Sequence, residues 1–251
     1  MGHISEANGE RRFMNIALIL SGGTGTRLGA DIPKQYIEVN GWPIIAYCFA
    51  QLATHEKIDA IQIVADAAWR DMLTERLSVL DWQQKLRGFS EPGRNRQLSI
   101  YQGLVDVSAY ASADDRVFVH DAARPMLSEK MITVCLNAAQ GHDGALPVLP
   151  MKDTVYSSLD GRRIHSLLDR STIYAGQAPE VFVLGKYLEA NKRLLPEEIF
   201  KINGSTEPAI LAGMDIAMLP GDEANFKITT KKDLERFQNM IGTKGPEERL
   251  L

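Results

Sequence analysis

The sequence has few cysteines, no long apolar run and no basic excess, and each absence excludes a class of protein. Two cysteines among 251 residues are too few for a secreted disulfide framework, so we expect buried thiols in a reducing compartment. No apolar run approaches the roughly 18 residues of a transmembrane helix. The net charge is −4, from 28 Lys and Arg against 32 Asp and Glu, which is not the charge of a nucleic-acid-binding protein. We therefore expect a cytoplasmic protein with no membrane and no nucleic-acid partner.

Several familiar ligand-binding and catalytic motifs are absent as well. Gly23 and Gly25 could begin a dinucleotide fingerprint, but Leu28 stands where the third glycine is required. The chain contains no Gly-Lys-Ser/Thr of a Walker A loop, no Asp-x-Asp and no His-Glu-x-x-His. These absences disfavour a dehydrogenase, a P-loop enzyme, a metal-dependent glycosyltransferase of the nucleotide-sugar type and a zinc hydrolase.

Short apolar runs alternate with helical patterns roughly every 30–35 residues, which is typical of a parallel sheet covered by helices on both faces. The predicted strands are residues 15–21, 58–65, 86–90, 116–120, 144–149, 216–219 and 226–229. The predicted helices begin at residues 43 and 230 or span 67–80, 94–110, 129–140, 184–194 and 207–212. We predict a single α/β domain over residues 14–242, with flexible ends at 1–13 and 243–251.

The alternation of strands and helices is interrupted between residues 152 and 170. Two short alternating segments, 154–158 and 163–167, flank Asp160 and Gly161, and Asp-Gly is a strong signal for a two-residue hairpin turn. A hairpin that leaves the domain exposes sheet edges, which proteins normally cover. We therefore predict a protruding arm at about 152–170 that is covered by a second copy of the chain.

The stretch Ser-Gly-Gly-Thr-Gly-Thr-Arg-Leu-Gly, residues 21–29, directly follows the first predicted strand. Closely spaced glycines allow backbone N–H groups to approach an anion. Arg27 and Lys34 add two cations on the same loop, and this combination suits a polyphosphate. The alternative is a glycine-rich turn without a ligand, beside a solvated pair of cations.

A second group of polar residues, Val-His-Asp-Ala-Ala-Arg-Pro at 119–125, ends the predicted strand 116–120. Ligands of open α/β sheets bind at the carboxyl ends of the strands. Asp121 offers the hard oxygen that Mg²⁺ prefers, with phosphates and water as its other ligands. The alternative is that Asp121 caps the turn and pairs with Arg124, and His120 is expected to be a packed residue rather than a catalyst.

Five motifs in a fixed order carry a resemblance to a known family. They are GGTGTRLG…PKQY (22–36), GRNRQLSI (93–100), VHDAARP (119–125), LDRSTIYAGQAPEVF (168–182) and NFKITTKKDL (225–234). From about residue 15 to 237 the chain resembles the cytidylyltransferase family that contains 2-C-methyl-D-erythritol 4-phosphate cytidylyltransferase and ribitol-5-phosphate cytidylyltransferase. The resemblance implies a Rossmann-like nucleotidyltransferase domain whose arm at 152–170 builds a homodimer.

The resemblance also implies a reaction, in which CMP passes from CTP to a polyol phosphate with Mg²⁺ as cofactor, giving a CDP-polyol and pyrophosphate. The implied catalytic residues are Arg27, Lys34 and Lys227. The implied nucleotide-binding residues are Ser21, Gly22, Gly23, Thr24, Gly25, Gly93, Arg96, Ser99 and Ala122. The implied acceptor-binding residues are Arg170, Ser205 and Lys227, and Asp121 is the implied metal ligand.

The chain departs from the family pattern on the acceptor side. Ala178 replaces a Thr, Glu180 a Gln and Ala224 an Asp, and Ser-Thr-Glu at 205–207 stands for Thr-Asp-Glu. The motifs on the CTP side are intact, so these departures leave the identity of the polyol open. They also leave two alternatives: a non-catalytic nucleotide-binding protein of the same fold, or a sugar-phosphate nucleotidyltransferase that uses another base.

Overall fold

A computed structural model describes residues 12–23, 32–78 and 83–249 of the chain. In these ranges the strands are β1 (Asn15–Leu20), β2 (Glu38–Val39), β3 (Trp42–Pro43), β4 (Ala60–Val64), β5 (Leu86–Ser90), β6 (Arg116–Asp121), β7 (Gly144–Pro150), β8 (Val155–Ser157), β9 (Ser166–Leu168), β10 (Tyr174–Gly176), β11 (Glu180–Val183) and β12 (Ile216–Pro220). The α-helices are α1 (Ile44–Thr54), α2 (Ala67–Ser78), α3 (Arg96–Ser108), α4 (Glu129–Ala138), α5 (Leu184–Lys192), α6 (Glu207–Leu211) and α7 (Lys231–Ile241). The last two residues of the predicted helix 67–80 lie outside the described residues.

The central sheet confirms the predicted α/β class. Strands β5, β4, β1 and β6 lie side by side and parallel, and β11 follows β6 as an antiparallel strand. β10 and β11 pair with successive parts of one edge of β7, whose other edge pairs in parallel with β12. The carboxyl ends of β1, β4 and β6 therefore meet at one edge of the sheet, where ligands of such sheets bind.

Strand β1 shows why helices must cover both faces of this sheet. Its residues Ile16 to Ile19 are all fully buried, and successive side chains of a strand point to opposite faces. Ala17 and Ile19 pack in a cluster with residues of α1 and α4, whereas Ile16 and Leu18 pack in a second cluster with residues of α3 and α5. Both cysteines are free and buried, as expected, and burial raises the pKa of each thiol to about 12.

The arm differs in register from the predicted hairpin. β8 pairs with β9 from Val155–Leu168 to Ser157–Ser166, so the loop spans residues 158–165 instead of two residues. The carboxylate of Asp160 accepts hydrogen bonds from the backbone N–H groups of Arg162 and Arg163, and Gly161 has a positive φ of 68°. Asp-Gly forms a turn inside a longer loop because the Asp160 side chain, rather than a cross-strand ladder, satisfies these N–H groups.

Residues 226–229, predicted as a strand, form none: Ile228 N–H donates to the Ala123 carbonyl at 2.9 Å, outside any ladder of the described strands. Strands β10 and β11 were not predicted, and β11 lies antiparallel between β6 and β7. In residues 243–249, part of the predicted flexible end, the Lys244 carbonyl accepts from Asn40 and the Arg249 guanidinium donates to the Pro125 carbonyl.

Of the predicted flexible ends, residues 1–11 and 250–251 lie outside the described residues. Helix α1 begins at Ile44, one residue after the predicted start, because Pro43 still pairs within the β2–β3 ladder. Among the described helices, none combines the length and apolar character needed to cross a membrane.

Candidate active site

A cleft of about 610 Å³ opens at the carboxyl ends of β1, β4 and β6. Its described lining residues are Leu20, Gly22, Gly23, Lys34, Gln35, Asp66, Pro92, Gly93, Arg94, Asn95, Arg96, Ser99, Asp121, Ala123 and Lys227. Segments that are more than a hundred residues apart in sequence thus meet in one concave site, as expected of a ligand pocket.

The glycine turn after β1 is held open by side chains of the 34–36 segment. The Gln35 amide donates to the carbonyls of Ser21 and Gly23, at 2.6 and 2.7 Å. The buried Ser21 hydroxyl and the Tyr36 phenol lie 2.9 Å apart, and Tyr36 also donates to the Ser21 carbonyl. These hydrogen bonds fix the carbonyls of the turn, and Gly22 and Gly23 line the cleft.

Close backbone approach explains two of the predicted glycines. A Cβ at Gly22 would lie 2.4 Å from Cβ of Pro92, and a Cβ at Gly93 would lie 2.5 Å from Cγ of Leu98. Gly93 N–H donates to the Ser99 hydroxyl, which itself donates to the Asn95 carbonyl at 2.9 Å. Asn95 caps α3 by accepting from Leu98 N–H. The segment before α3 therefore packs against the glycine turn at Pro92 and against the start of α3 at Gly93.

Asp121 lies at the centre of a cluster of cations. Its Oδ1 is 3.0 Å from Nη2 of Arg96, and its Oδ2 is 3.0 Å from Nζ of Lys227 and 3.5 Å from Nε of Arg124. Burial alone would raise the pKa of Asp121, but the three cations, with Arg96 foremost, hold that pKa far below its usual range. Asp121 is therefore a permanent anion that orders three side chains at the base of the cleft.

Behind Arg96 lies a second buried carboxylate, Glu180, on β11. Its oxygens accept hydrogen bonds from the Ser205 hydroxyl and from the Thr206 hydroxyl, the latter at 2.7 Å. Burial raises the pKa of Glu180, and Arg96, 3.8 Å away, opposes that rise. All three residues depart from the family pattern, and the structure brings them into contact.

His120 contacts the turn that follows β6 and carries Arg124. It is fully buried on β6, and burial lowers its pKa to about 4. Its Nε2 lies 3.0 Å from the Arg124 carbonyl, which can only accept, so Nε2 carries the proton. The packed role predicted for His120 agrees with this placement.

The structure brings many of the predicted residues to one place. Those that line the cleft are Gly22, Gly23, Lys34, Gly93, Arg96, Ser99, Asp121 and Lys227. Ser21 and Ala122 are buried directly beside it, and Ala122 N–H donates to the Leu20 carbonyl. The predicted residues Thr24, Gly25 and Arg27 lie outside the described residues.

Two predicted acceptor residues do not line the cleft of this chain. Ser205 lies behind Arg96 and donates to Glu180. Arg170 is exposed on the arm, where its Nη1 donates to the Lys152 carbonyl at 2.8 Å.

Several residues of the site were not predicted from the sequence, among them Gln35, Asp66, Arg94 and Glu180. Asp66 lines the cleft two residues after β4, and its place at a strand end is a signal that could have found it. Glu180 carries no local signal, because its side-chain partners come from α3 and from the segment before α6.

The acidic residues limit how a metal could bind. Among the described residues, no group of three or more Asp, Glu, His or Cys side chains is arranged to hold an ion. Mg²⁺ often takes only one or two carboxylates and fills its remaining positions with phosphate oxygens and water. The single carboxylate of Asp121, in a cleft with room for phosphates, fits an ion that arrives with a polyphosphate rather than a resident metal.

A mostly parallel sheet, glycine turns at its carboxyl edge and a cationic cleft define an α/β protein of the nucleotidyltransferase type. The family model described as "IspD: 2-C-methyl-D-erythritol 4-phosphate cytidylyltransferase" matches residues 15–243. The chain belongs to this family, which confirms the resemblance seen in the five motifs.

Individual relatives carry two different names. The chain is 30% identical over 226 residues to the 2-C-methyl-D-erythritol 4-phosphate cytidylyltransferase of Lachnospira eligens, covering 88% of this chain and 96% of that protein. It is 28% identical over 240 residues to the ribitol-5-phosphate cytidylyltransferase of Streptococcus agalactiae, covering 94% and 98%. It is 35% identical to the bifunctional enzyme IspD/IspF of Granulibacter bethesdensis over 90% of this chain, but spans only 56% of that enzyme.

Solved structures share the fold. The Francisella tularensis 2-C-methyl-D-erythritol 4-phosphate cytidylyltransferase superposes with a TM-score of 0.76 at 25% identity, covering 90% of this chain and 98% of that one. The Anaerococcus prevotii 4-diphosphocytidyl-2C-methyl-D-erythritol synthase gives a TM-score of 0.78 at 22% identity, covering 91% and 96%.

Proposed function

We propose that this protein is a cytidylyltransferase that transfers CMP from CTP to a polyol phosphate. A phosphate oxygen of the acceptor forms a bond to the α-phosphorus of CTP, the bond from that phosphorus to the β-phosphate bridge breaks, and pyrophosphate leaves. The observation that carries the proposal is the cleft itself, in which three cations surround Asp121 between two closely packed glycine turns.

The chemistry requires charge stabilisation rather than a base. The acceptor phosphate is already an anion at neutral pH, so no proton has to be removed before it attacks. The barrier arises from bringing two polyanions together and from charge on the α-phosphorus, and fixed cations lower such barriers most effectively. Lys34 and Lys227 line the cleft, and Arg27 follows the glycine turn in sequence, so we assign these three to that role.

The nucleotide and its metal would bind around the same turns. Residues 21–25, Gly93, Arg96, Ser99 and Ala122 are assigned to CTP. Mg²⁺, when bound, would supply additional positive charge to the triphosphate, with Asp121 as its protein ligand.

The acceptor side is proposed to be completed by a second copy of the chain. Arg170 and Lys227 are assigned to the polyol phosphate, and Arg170 is exposed on the arm, where a homodimer contact would place it near the other protomer's cleft. Ser205, predicted for the same role, is buried and donates to Glu180. The acceptor is 2-C-methyl-D-erythritol 4-phosphate or ribitol 5-phosphate, the compounds named in the two kinds of relative. A CTP-using enzyme with two free, buried thiols suits a cytoplasmic location.

Pyrophosphate release tests the proposal directly. The protein is incubated with CTP and Mg²⁺ and with each of the two polyol phosphates separately, and then with UTP, ATP or GTP in place of CTP. We expect release with CTP and one of the acceptors. Binding of CTP without turnover on either acceptor would instead indicate a non-catalytic nucleotide-binding protein, and turnover with another base would indicate a different nucleotidyltransferase.

A further inference from the structure

Glu180 is a buried acid to which the proposed reaction assigns no role. It is 5% exposed and does not line the cleft. Two hydroxyl groups, from Ser205 and Thr206, donate to its carboxylate and fix both of its oxygens. Burying a charge is unfavourable unless it is paired and hydrogen-bonded, so the function of this fully partnered acid must be sought in the groups it contacts.

The group that Glu180 contacts toward the cleft is the Arg96 guanidinium. Nη2 of Arg96 is 3.8 Å from Oε1 of Glu180 and 3.0 Å from Oδ1 of Asp121, and Nε also donates to Asp121. Arg96 lines the cleft, whereas Glu180 lies behind it. The guanidinium is thus held between two carboxylates that belong to neighbouring strands, β6 and β11.

We propose that Glu180 is a positioning residue: anchored by Ser205 and Thr206, its carboxylate fixes the guanidinium plane of Arg96 for the bound nucleotide. A planar guanidinium gives directional hydrogen bonds only when its position is fixed. Asp121 accepts from Nε and Nη2, and the Glu180 ion pair attracts the same Nη2 toward β11, so the loss of either acid leaves the group freer to move. That the ligand is CTP rests on the proposed function; the ordering of Arg96 does not.

Glu180 could instead act on the nucleotide through its charge alone, and the two effects differ in sign. A negative charge behind Arg96 repels a triphosphate, so its removal by a pure charge effect would tighten CTP binding. Loss of Arg96 ordering would weaken binding. The positioning effect should dominate because Arg96 contacts the cleft directly, whereas the Glu180 charge acts across a guanidinium that neutralises much of it.

Three variants separate these effects. Glu180→Asp keeps the charge but moves it away from Arg96, Glu180→Gln removes the charge, and Ser205→Ala keeps both charges but removes an anchor. CTP affinity is measured by titration calorimetry, and the order of Arg96 by its Nε–H NMR signal, assigned with Arg96→Lys. We expect each variant to bind CTP about tenfold more weakly, a loss between those typical of an exposed and of a buried ion pair, and to shift the Arg96 signal.

The matched control is Glu207→Gln, on the same segment as Thr206. Its carboxylate accepts from Asn203 N–H, and we expect unchanged CTP affinity and an unchanged Arg96 signal. Wild-type affinity in Glu180→Asp together with tighter binding in Glu180→Gln would overturn the proposal. If the wild-type protein binds no CTP, the proposed function fails, and the Arg96 signal of the free protein then decides alone: a shift in Glu180→Asp supports positioning, and an unmoved signal refutes it.

Discussion

Among single residues, Asp121 has the strongest influence on its surroundings. Lys227 and Arg96 are about one-third exposed, whereas the Asp121 side chain is 9% exposed. Water can therefore stabilise the cations in part but hardly the acid, so the acid depends on the cations. The carboxylate orders side chains that a triphosphate would otherwise meet as mobile charges, and in the proposed function it would also offer an oxygen to a metal.

Replacing Asp121 by Asn tests both roles. We expect the Mg²⁺ concentration for half-maximal activity to rise at least severalfold, because the variant loses the hard anionic oxygen that the metal prefers. We also expect the free energy of unfolding to fall by about 2 kcal/mol, less than for a fully buried pair because two of the cations are partly hydrated. Mg²⁺ titrations of pyrophosphate release and urea unfolding measure the two effects. A Mg²⁺ dependence that superimposes on that of the wild-type protein would refute the metal assignment.

Lys34 is predicted to stabilise charge in the transition state. Lys34→Ala should lower kcat by about 100-fold, the usual consequence of losing one well-placed donor to a developing charge. The fold should survive, because Lys34 itself is only partly buried and lines the cleft, unlike its buried neighbours Gln35 and Tyr36. Steady-state rates are compared with those of Lys232→Ala, an exposed lysine of α7. Near-normal turnover in Lys34→Ala would remove its catalytic assignment, and the same experiment applies to Arg27.

Residue types at strand ends could be interpreted from the sequence, whereas contacts across elements could not. Asp121, Lys34 and Gly93 belong to short motifs, and those motifs predict that the three residues lie at a ligand-binding site. Glu180 meets Arg96 only because β11 runs antiparallel next to β6, and nothing in its neighbours along the chain indicates that pairing. Ser205 was predicted to bind the acceptor, and its contact with Glu180 likewise depends on tertiary packing.

At the level of secondary structure, α7 has a complete capping box. The Thr230 hydroxyl accepts from Asp233 N–H, and the Asp233 carboxylate accepts from the Thr230 N–H. Burial raises the pKa of Asp233, but the hydrogen bonds from Thr229 and Thr230 together lower it to about 2. The reciprocal bonds of the capping box therefore depend on an ionised carboxylate.

Asp233→Ala should therefore destabilise the protein in a pH-dependent way. At pH 7 we expect the free energy of unfolding to fall by about 1 kcal/mol, a typical loss for a helix cap. Because the folded pKa is depressed, this stabilisation is complete above the unfolded value near 4 and is lost as the pH falls toward 2. Urea unfolding of both proteins from pH 7 to pH 2.5 should show two curves that converge in acid. A constant difference across that range would contradict the assignment.

Elements whose stability is local were predictable, and elements that depend on partners were not. β1 and α4 were predicted almost to the residue because apolar pattern and capping act within each segment. Residues 226–229 resemble a strand in composition, yet Ile228 N–H donates to the Ala123 carbonyl and Thr229 N–H to the Asp233 carboxylate, so the segment joins no ladder of the described strands. The Asp-Gly turn was recognised, but its two-residue register was wrong because Asp160 bonds to its own loop.

Across the whole molecule, the distribution of charge matters more than its sum. A net charge of −4 would repel CTP if it were spread evenly, but the cleft collects Lys34, Arg94, Arg96 and Lys227 at one edge of the sheet. A concave site surrounded by protein of low dielectric focuses such a field.

The two strands of the arm pair with each other and with no other described strand. β8 and β9 form an isolated two-stranded ladder, which is marginal in water by itself. Tyr156 and Leu167 lie opposite each other in that ladder and are 53% and 65% exposed, and the loop adds Leu159 and Ile164 at 84% and 69%. So much exposed apolar surface on so small an element needs cover, and a second arm offers the same apolar surface in return.

We therefore expect the purified protein to be a dimer at micromolar concentration, and Leu167→Glu to shift it toward the monomer. Light scattering after size exclusion measures the mass, with Leu211→Glu as control, because Leu211 on α6 is also 65% exposed but lies outside the arm. If Arg170 acts across the dimer, Leu167→Glu should also lose pyrophosphate release at dilutions where it is monomeric and regain it on concentration. A wild-type monomer, or equal dissociation of both variants, would contradict the arm as the interface. A monomer with full activity would show that each cleft is complete without its partner.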